Sequence, residues 1–307
     1  MKYKGFAFGA DTELSIEREG LSIGERFLDF ADVDTIRPIN HRVWIDTVSG
    51  ERIEISMLGF SYDGFWEELL NAYGSRSLEA LFVDEAQIML CEGEYTIPGE
   101  SGRGKIALYP DAVCILPQTR RAVRIPLCFT DSIRLDGYQL RFVMASGETY
   151  VAAKMGYDTK PFAERAIQRA ELVKKERAAA LQKLPAHPPF TEKGLFRTER
   201  PEQYWNAAFG KNVCAVELYT GEDAATYLYR FHETREEFLL RLAEAMEAMG
   251  IHREVIYLSD GQLEEKPLYR MAVDRSHAVR FLRERSDGRL IHNGGHAQRL
   301  EEYLRNA

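Results

Sequence analysis

Apolar and polar residues alternate in short runs between Leu14 and Met57, and the runs are broken by polar or glycine-containing turns. That period of two is the mark of half-buried β-strands. Leu14-Ser-Ile16, Gly20-Leu-Ser-Ile23, Phe27-Leu-Asp-Phe30 and Val33 to Ile39 come first. A hairpin follows: Val43, Ile45 and Thr47 alternate, Ser49-Gly50-Glu51 turns the chain, and Ile53, Ile55 and Met57 alternate back. One face of each strand is thereby committed to a core. The period then becomes helical, with Phe65, Leu69, Leu70 and Tyr73 on one stripe and Asp63 placed to cap the first turn.

The same pattern recurs 97 residues later. When Asp34 to Tyr73 is set over Asp131 to Ala170 without a gap, nine of forty positions are identical, among them Asp34/Asp131, Gly50/Gly147, Glu51/Glu148, Gly59/Gly156 and Phe65/Phe162. Leu140, Phe142 and Met144 precede Ser146-Gly147-Glu148, the returning strand is Tyr150 to Ala153, and Phe162, Ala166, Ile167 and Ala170 form the helical stripe, with Pro161 in its first turn. Upstream, Leu14-Ser-Ile16 aligns with Ile106-Ala-Leu108 and Leu21-Ser-Ile23 with Val113-Cys-Ile115, at an offset of 92. The second copy therefore carries five extra residues near Leu116 to Arg121, in a loop expected to vary without disturbing the core. An internal repeat of this kind is evidence of one structural unit used twice.

Strong helix formers continue from Glu171 to Leu181 and predict a spacer helix that ends before Pro185. Pro185-Ala-His-Pro188-Pro189 reads as an extended boundary segment. Beyond it, Cys214, Val216 and Leu218 lead into Gly221-Glu222, a strand over Ala224 to Phe231 and a helix from Thr234 to Met249. This unit reads either as a third, decayed copy or as an ordinary hairpin followed by a helix. Arg253 to Leu258 is expected to be a strand, Ser276 to Arg285 a helix, Arg289 to His292 a strand and Ala297 to Leu304 a helix, whereas Gly261 to Val273 fits either state. Alternating strands and helices predict a small α/β domain.

The order of many short antiparallel strands and one closing helix resembles the pleckstrin-homology superfold, in particular bacterial PH-like and GRAM-like modules. Gly20-Leu21, Asp34-Thr-Ile36, Gly50 and Phe65-Trp66-Glu-Glu-Leu69-Leu70 carry the resemblance in the first copy; Ala112-Val113, Asp131-Ser-Ile133, Gly147 and Phe162 to Ile167 carry it in the second. It covers about the first 175 residues. The expected class is α+β, with PH-like module 1 over residues 1–82 and PH-like module 2, with its extended helix, over 83–184. A proline-rich linker over 185–192 and an α/β domain over 193–307 complete the chain.

Composition narrows the function. The chain has 45% hydrophobic and 29% charged residues, which is ordinary for a folded globular protein. Its 40 basic and 48 acidic residues give a formal charge of −8, which argues against general affinity for nucleic acid. No run of about 18 apolar residues occurs and the first residues lack a signal-peptide core, so a cytoplasmic location is expected, with peripheral membrane association as the variant. Cys91, Cys114, Cys128 and Cys214 lack zinc-site spacing and read as reduced thiols among apolar neighbours.

Two clusters are candidates for chemistry. Arg103, Lys105, Arg120, Arg121 and Arg124 are the densest basic group of the second copy, and the family resemblance implies anionic headgroup binding by basic residues near the early strands. His292-Asn-Gly-Gly-His296 could bind a metal or an anion before the last helix, although no accompanying ligand spacing supports it. No nucleophile elbow, phosphate-binding loop, zincin motif or dinucleotide fingerprint occurs, and no cofactor is expected. The expectation is a non-enzymatic binding or scaffold protein with a protein partner. Anionic-lipid attachment through module 2 and catalysis in the C-terminal domain are the alternatives.

Overall fold

The computed structural model describes residues 2–197, 203–220, 223–291 and 297–306. Four strands open the chain as an antiparallel meander: β1 (Lys2–Ala7), β2 (Ala10–Ile16), β3 (Gly20–Ile23) and β4 (Arg26–Asp29). After a 3-10 turn at Phe30–Asp32, β5 (Val33–Ile39), β6 (Arg42–Thr47) and β7 (Arg52–Ile55) form a second meander. Phe6 and Ser56 exchange backbone hydrogen bonds of 2.8 and 3.0 Å, which join the two sheets. Helix α1 (Tyr62–Ala80) closes the core, placing Phe65, Leu69 and Tyr73 against Leu14, Leu21, Ile36 and Ile45. Asp63 is the second residue of α1 and makes no cap; its charge still suits the positive end of the helix.

The second unit repeats this order. Strands β8 (Met89–Ile97), β9 (Glu100–Leu108), β10 (Ala112–Pro117), β11 (Val123–Pro126), β12 (Thr130–Asp136), β13 (Gln139–Met144) and β14 (Thr149–Ala153) form one antiparallel sheet that is nearly closed like a barrel, in the order β11-β10-β9-β8-β14-β13-β12. Helix α2 (Thr159–Lys183) buries Phe162, Ala163, Ala166 and Ala170 against it. Backbone details recur with the sequence. Both copies have a bulge at the repeated aspartate, between Val33 and Thr35 and between Thr130 and Ser132. Gly50 and Gly147 turn their hairpins at φ +85° and +88°, a conformation that disfavours any side chain. Met57 and Lys154, which are chemically unlike, share φ values of +56° and +53°.

The five extra residues are accounted for by two added to β10 relative to β3 and three to the following loop, which is Gly24–Glu25 in the first unit and 118–122 in the second. The expected spacer helix is a packed one. Within α2, Arg177 pairs with Glu247 of the C-terminal region, and its guanidinium lies over the Phe129 ring.

The C-terminal region departs from the α/β expectation. Strands β15 (Glu192–Leu195), β16 (Tyr204–Phe209), β17 (Val213–Thr220) and β18 (Asp223–Arg230) form an antiparallel meander. Helices α3 (Arg235–Met249), α4 (Glu254–Tyr257), α5 (Asp260–Glu264), α6 (Pro267–Arg275) and α7 (His277–Arg285) follow. They return the chain to β19 (Ser286–Ile291), antiparallel beside β18, and α8 (Ala297–Asn306) ends it. The arrangement is α+β, because helices are inserted between two antiparallel neighbours instead of crossing between parallel ones. Arg253 to Leu258 is helical at its centre: Val255 and Ile256 are both buried, a short apolar run that period alone does not distinguish from a strand. Trp205 is buried in this region's core, which also takes in Ala31, Ala80 and Phe82 from the first unit. A separate apolar cluster, in which Leu81 packs with Ala107, Tyr109, Cys114 and Leu116, joins the first unit to the second.

Candidate functional site

The extra loop of the second unit lies on the outer edge of the first. Ile36 N–H donates to the Gln118 carbonyl and Arg120 N–H donates to the Asp34 carbonyl, both at 2.8 Å, with Thr35 opposite Thr119. Arg120 adds an ion pair to Asp34 at 3.2 Å. Residues 118–120 thus act as a short additional strand on β5, and Ile36 beneath them is fully buried.

A charged hub ties in the C-terminal region. Arg197 donates to Glu85 and Asp111, and Asp111 also accepts from Arg124 at 2.7 Å. Burial opposes the charge of Arg197, but the bonds to Glu85 and the fields of Asp111, Glu85 and Asp84 outweigh it and hold the guanidinium pKa above its usual value. Burial likewise works against the Glu85 carboxylate, and Arg197 overcomes it and holds the carboxyl pKa down.

Between these contacts lies a cleft of about 210 Å³, lined by the second unit and by α3, α6 and α7, with Leu81 at the end of the first. One part of its lining is basic. Arg121, Arg275 and Arg280 converge there beside the first turn of α7, which Ser276 caps by accepting from Val279 N–H. Burial lowers the Arg280 pKa, and the positive charge of Arg121 lowers it further. Another part is acidic. Glu244 of α3 faces Glu148 of the repeated Ser-Gly-Glu turn, and burial, then the Glu148 charge, push the Glu244 carboxyl up to about 7 against opposing effects of Ser146 and Arg241. Glu148 also accepts from the Tyr150 hydroxyl at 2.6 Å. Carboxyls raised in this way are common where a protein binds or moves protons.

The five basic residues expected to share an anion site are distributed over different surroundings. Arg121 lines the cleft and donates to the Pro98 carbonyl. Arg124 also borders the cleft, but its side chain is buried and paired with Asp111. Arg120 is engaged with Asp34. Arg103 and Lys105 line a separate groove of about 310 Å³ between α1 and the second sheet, where Lys105 donates to Asn71 at 2.5 Å beside Trp66. His292, His296 and the Gly221-Glu222 turn lie outside the described residues. Cys91, Cys114 and Cys214 are buried and Cys128 is half-buried, all as free thiols.

Two surface features recur between the copies. Strand β12 has the register of β5, with Ile133 opposite Phe142 as Ile36 is opposite Ile45. Among the described residues no backbone hydrogen bond covers the outward N–H of Ile133 or the outward carbonyl of Asp131. Asp131 is exposed and Ile133 half-buried where Ile36 is sealed. Phe60 and Tyr157, at the same position before the two closing helices, are both fully exposed.

Sequence reasoning missed Arg241, Glu244, Arg275 and Arg280, which come from three helices far from the basic cluster in sequence. Their only local signal is the Ser276 cap at the break between α6 and α7. No protein-family model matches the chain, and no curated protein matches it.

Proposed function

We propose that the chain is a non-enzymatic binding or scaffold protein built on two PH-like modules, and that the open edge of β12 receives an extended, arginine-bearing segment of a protein partner. The observation that carries this reading is the pairing of residues 118–120 with β5. An added strand obtains affinity from main-chain hydrogen bonds and specificity from its side chains. The second copy offers the same donor, acceptor and aspartate at Ile133 and Asp131. The recurring exposed rings of Phe60 and Tyr157 add to the case, because a core does not require them and aromatic residues are favoured at contact surfaces. Lipid attachment through the second unit has less support, since Arg120 and Arg124 are engaged and the remaining cations are divided between two sites. No helix among the described residues is long and apolar enough to cross a membrane.

The test uses a synthetic peptide with the sequence of residues 116–122, titrated into the full chain and followed by amide NMR. Saturable shifts at residues 131–134 that disappear in Asp131→Lys are expected. Absence of those shifts, or shifts indifferent to Asp131→Lys, would refute the edge as a working surface.

A further inference from the structure

We propose that the cleft at the junction of the three units binds a small, hydroxyl-bearing phosphate ester. This site is distinct from the β12 edge and does not depend on it.

The electrostatic balance of the cleft is the first ground. The chain as a whole is acidic, with 48 acidic against 40 basic residues, yet Arg121, Arg124, Arg241, Arg275 and Arg280 line this one cavity against the carboxyls of Glu148, Glu244 and Asp274. Three buried or nearly buried arginines elsewhere in the units have acidic partners: Arg124 has Asp111, Arg177 has Glu247 and Arg197 has Glu85. Among the described residues Arg124 is paired with Asp111, and none of the other four cleft arginines forms an ion pair. Arg275 is only 3% exposed; its Nη2 donates to the Tyr73 hydroxyl at 2.9 Å, while Nε and Nη1 have no partner. A buried, uncompensated guanidinium is costly, and its field is poorly screened by solvent. It therefore adds to the attraction that Arg121 and Arg280 exert on an anion in the cleft.

Helix α7 supplies the second ground. Its nine residues begin at the cleft, and His277 and Ala278 of its first turn are part of the lining. Ser276 occupies the Val279 N–H, and the Arg280 N–H reaches the Ser276 carbonyl. Among the described residues, no hydrogen bond engages the N–H groups of His277 and Ala278. Helix-terminal N–H groups and forked guanidinium donors together match the oxygens of a phosphate.

The acidic lining sets the rest of the ligand. Glu148 and Glu244, with the Tyr150 hydroxyl, offer acceptors and donors to alcohol groups, but would repel a second phosphate. A cleft of about 210 Å³ suits a small molecule.

The experiment measures melting temperature and calorimetric binding for the full chain with inorganic phosphate and with glycerol 3-phosphate. Sodium chloride at matched ionic strength and glycerol alone are the controls. Both phosphates are expected to raise the melting temperature by several degrees, with glycerol 3-phosphate the tighter ligand. Arg121→Gln and Arg280→Gln, each first shown to be folded by circular dichroism, should weaken binding about tenfold or more. The paired change Arg103→Gln and Lys105→Gln, in the separate groove, should leave it unaltered. A response equal to that in chloride, or one undiminished in both cleft variants, overturns the proposal. Co-sedimentation with vesicles of phosphatidylcholine and phosphatidylinositol 4-phosphate, dependent on Arg121 and Arg280, would move the assignment from a soluble ligand to a lipid headgroup and overturn it in that form.

Discussion

Strands β5 and β12 carry the same bulge, the same register and the same aspartate, yet residues 118–120 cover one edge while among the described residues no segment pairs with the other. The difference lies in the neighbours. The second copy carries the longer loop, and that loop pairs with the first copy's edge instead of varying freely on the surface. The repeat presents two equivalent strand edges, and the longer loop covers one of them. What the copies share is the machinery of folding; what distinguishes them is what each edge meets.

The largest effects should fall on the shared machinery and be the same in both copies. Phe65→Ala and Phe162→Ala each remove a ring with no exposed surface from the same place in the closing helix, and each should cost about 3–5 kcal/mol in denaturant unfolding. If one substitution proves nearly silent, the two units are not equivalent in their packing.

An intermediate effect should appear only where the second copy meets α3. The folded Glu244 carboxyl titrates near 7, above its unfolded value of 4.5, so the folded state holds a proton that the unfolded state has lost across this window. Stability is therefore undiminished by this group below pH 4.5 and declines as pH rises through about 7. Glu244→Gln should stabilise the chain by roughly 1–2 kcal/mol at about pH 8 and have little effect at about pH 5. A gain independent of pH would mean that Glu148 and burial do not act on Glu244 as described. The smallest effect separates the two edges: Asp34→Ala should cost under about 1 kcal/mol through the half-exposed Arg120 pair, and Asp131→Ala should cost almost nothing.

Much of the modular part was legible because alternation and helical period directly report burial. Val33 to Ile39 is a strand at the bounds expected, and the hairpins around Gly50 and Gly147 fall where the turn residues placed them. The C-terminal region was less legible. Strand β16 is Tyr-Trp-Asn-Ala-Ala-Phe, with Asn206 buried, so no alternation marks it. The run around Val255 and Ile256 is short enough to suit either state. The cleft was not legible at all, since Arg121, Glu148, Glu244 and Arg280 lie on separate elements and become neighbours only when the units dock. The insertion could be counted from the sequence, but its pairing with β5 could not, because a backbone contact leaves no pattern in side-chain types.

Amide hydrogen exchange at Ile36 and Ile133 tests the central claim most directly, since these two residues share a register and differ only in what covers them. The Ile36 amide, bonded to the Gln118 carbonyl, should be strongly protected, and the Ile133 amide should exchange orders of magnitude faster until an edge-binding segment is added. Equal protection of both amides in the free chain would contradict that claim.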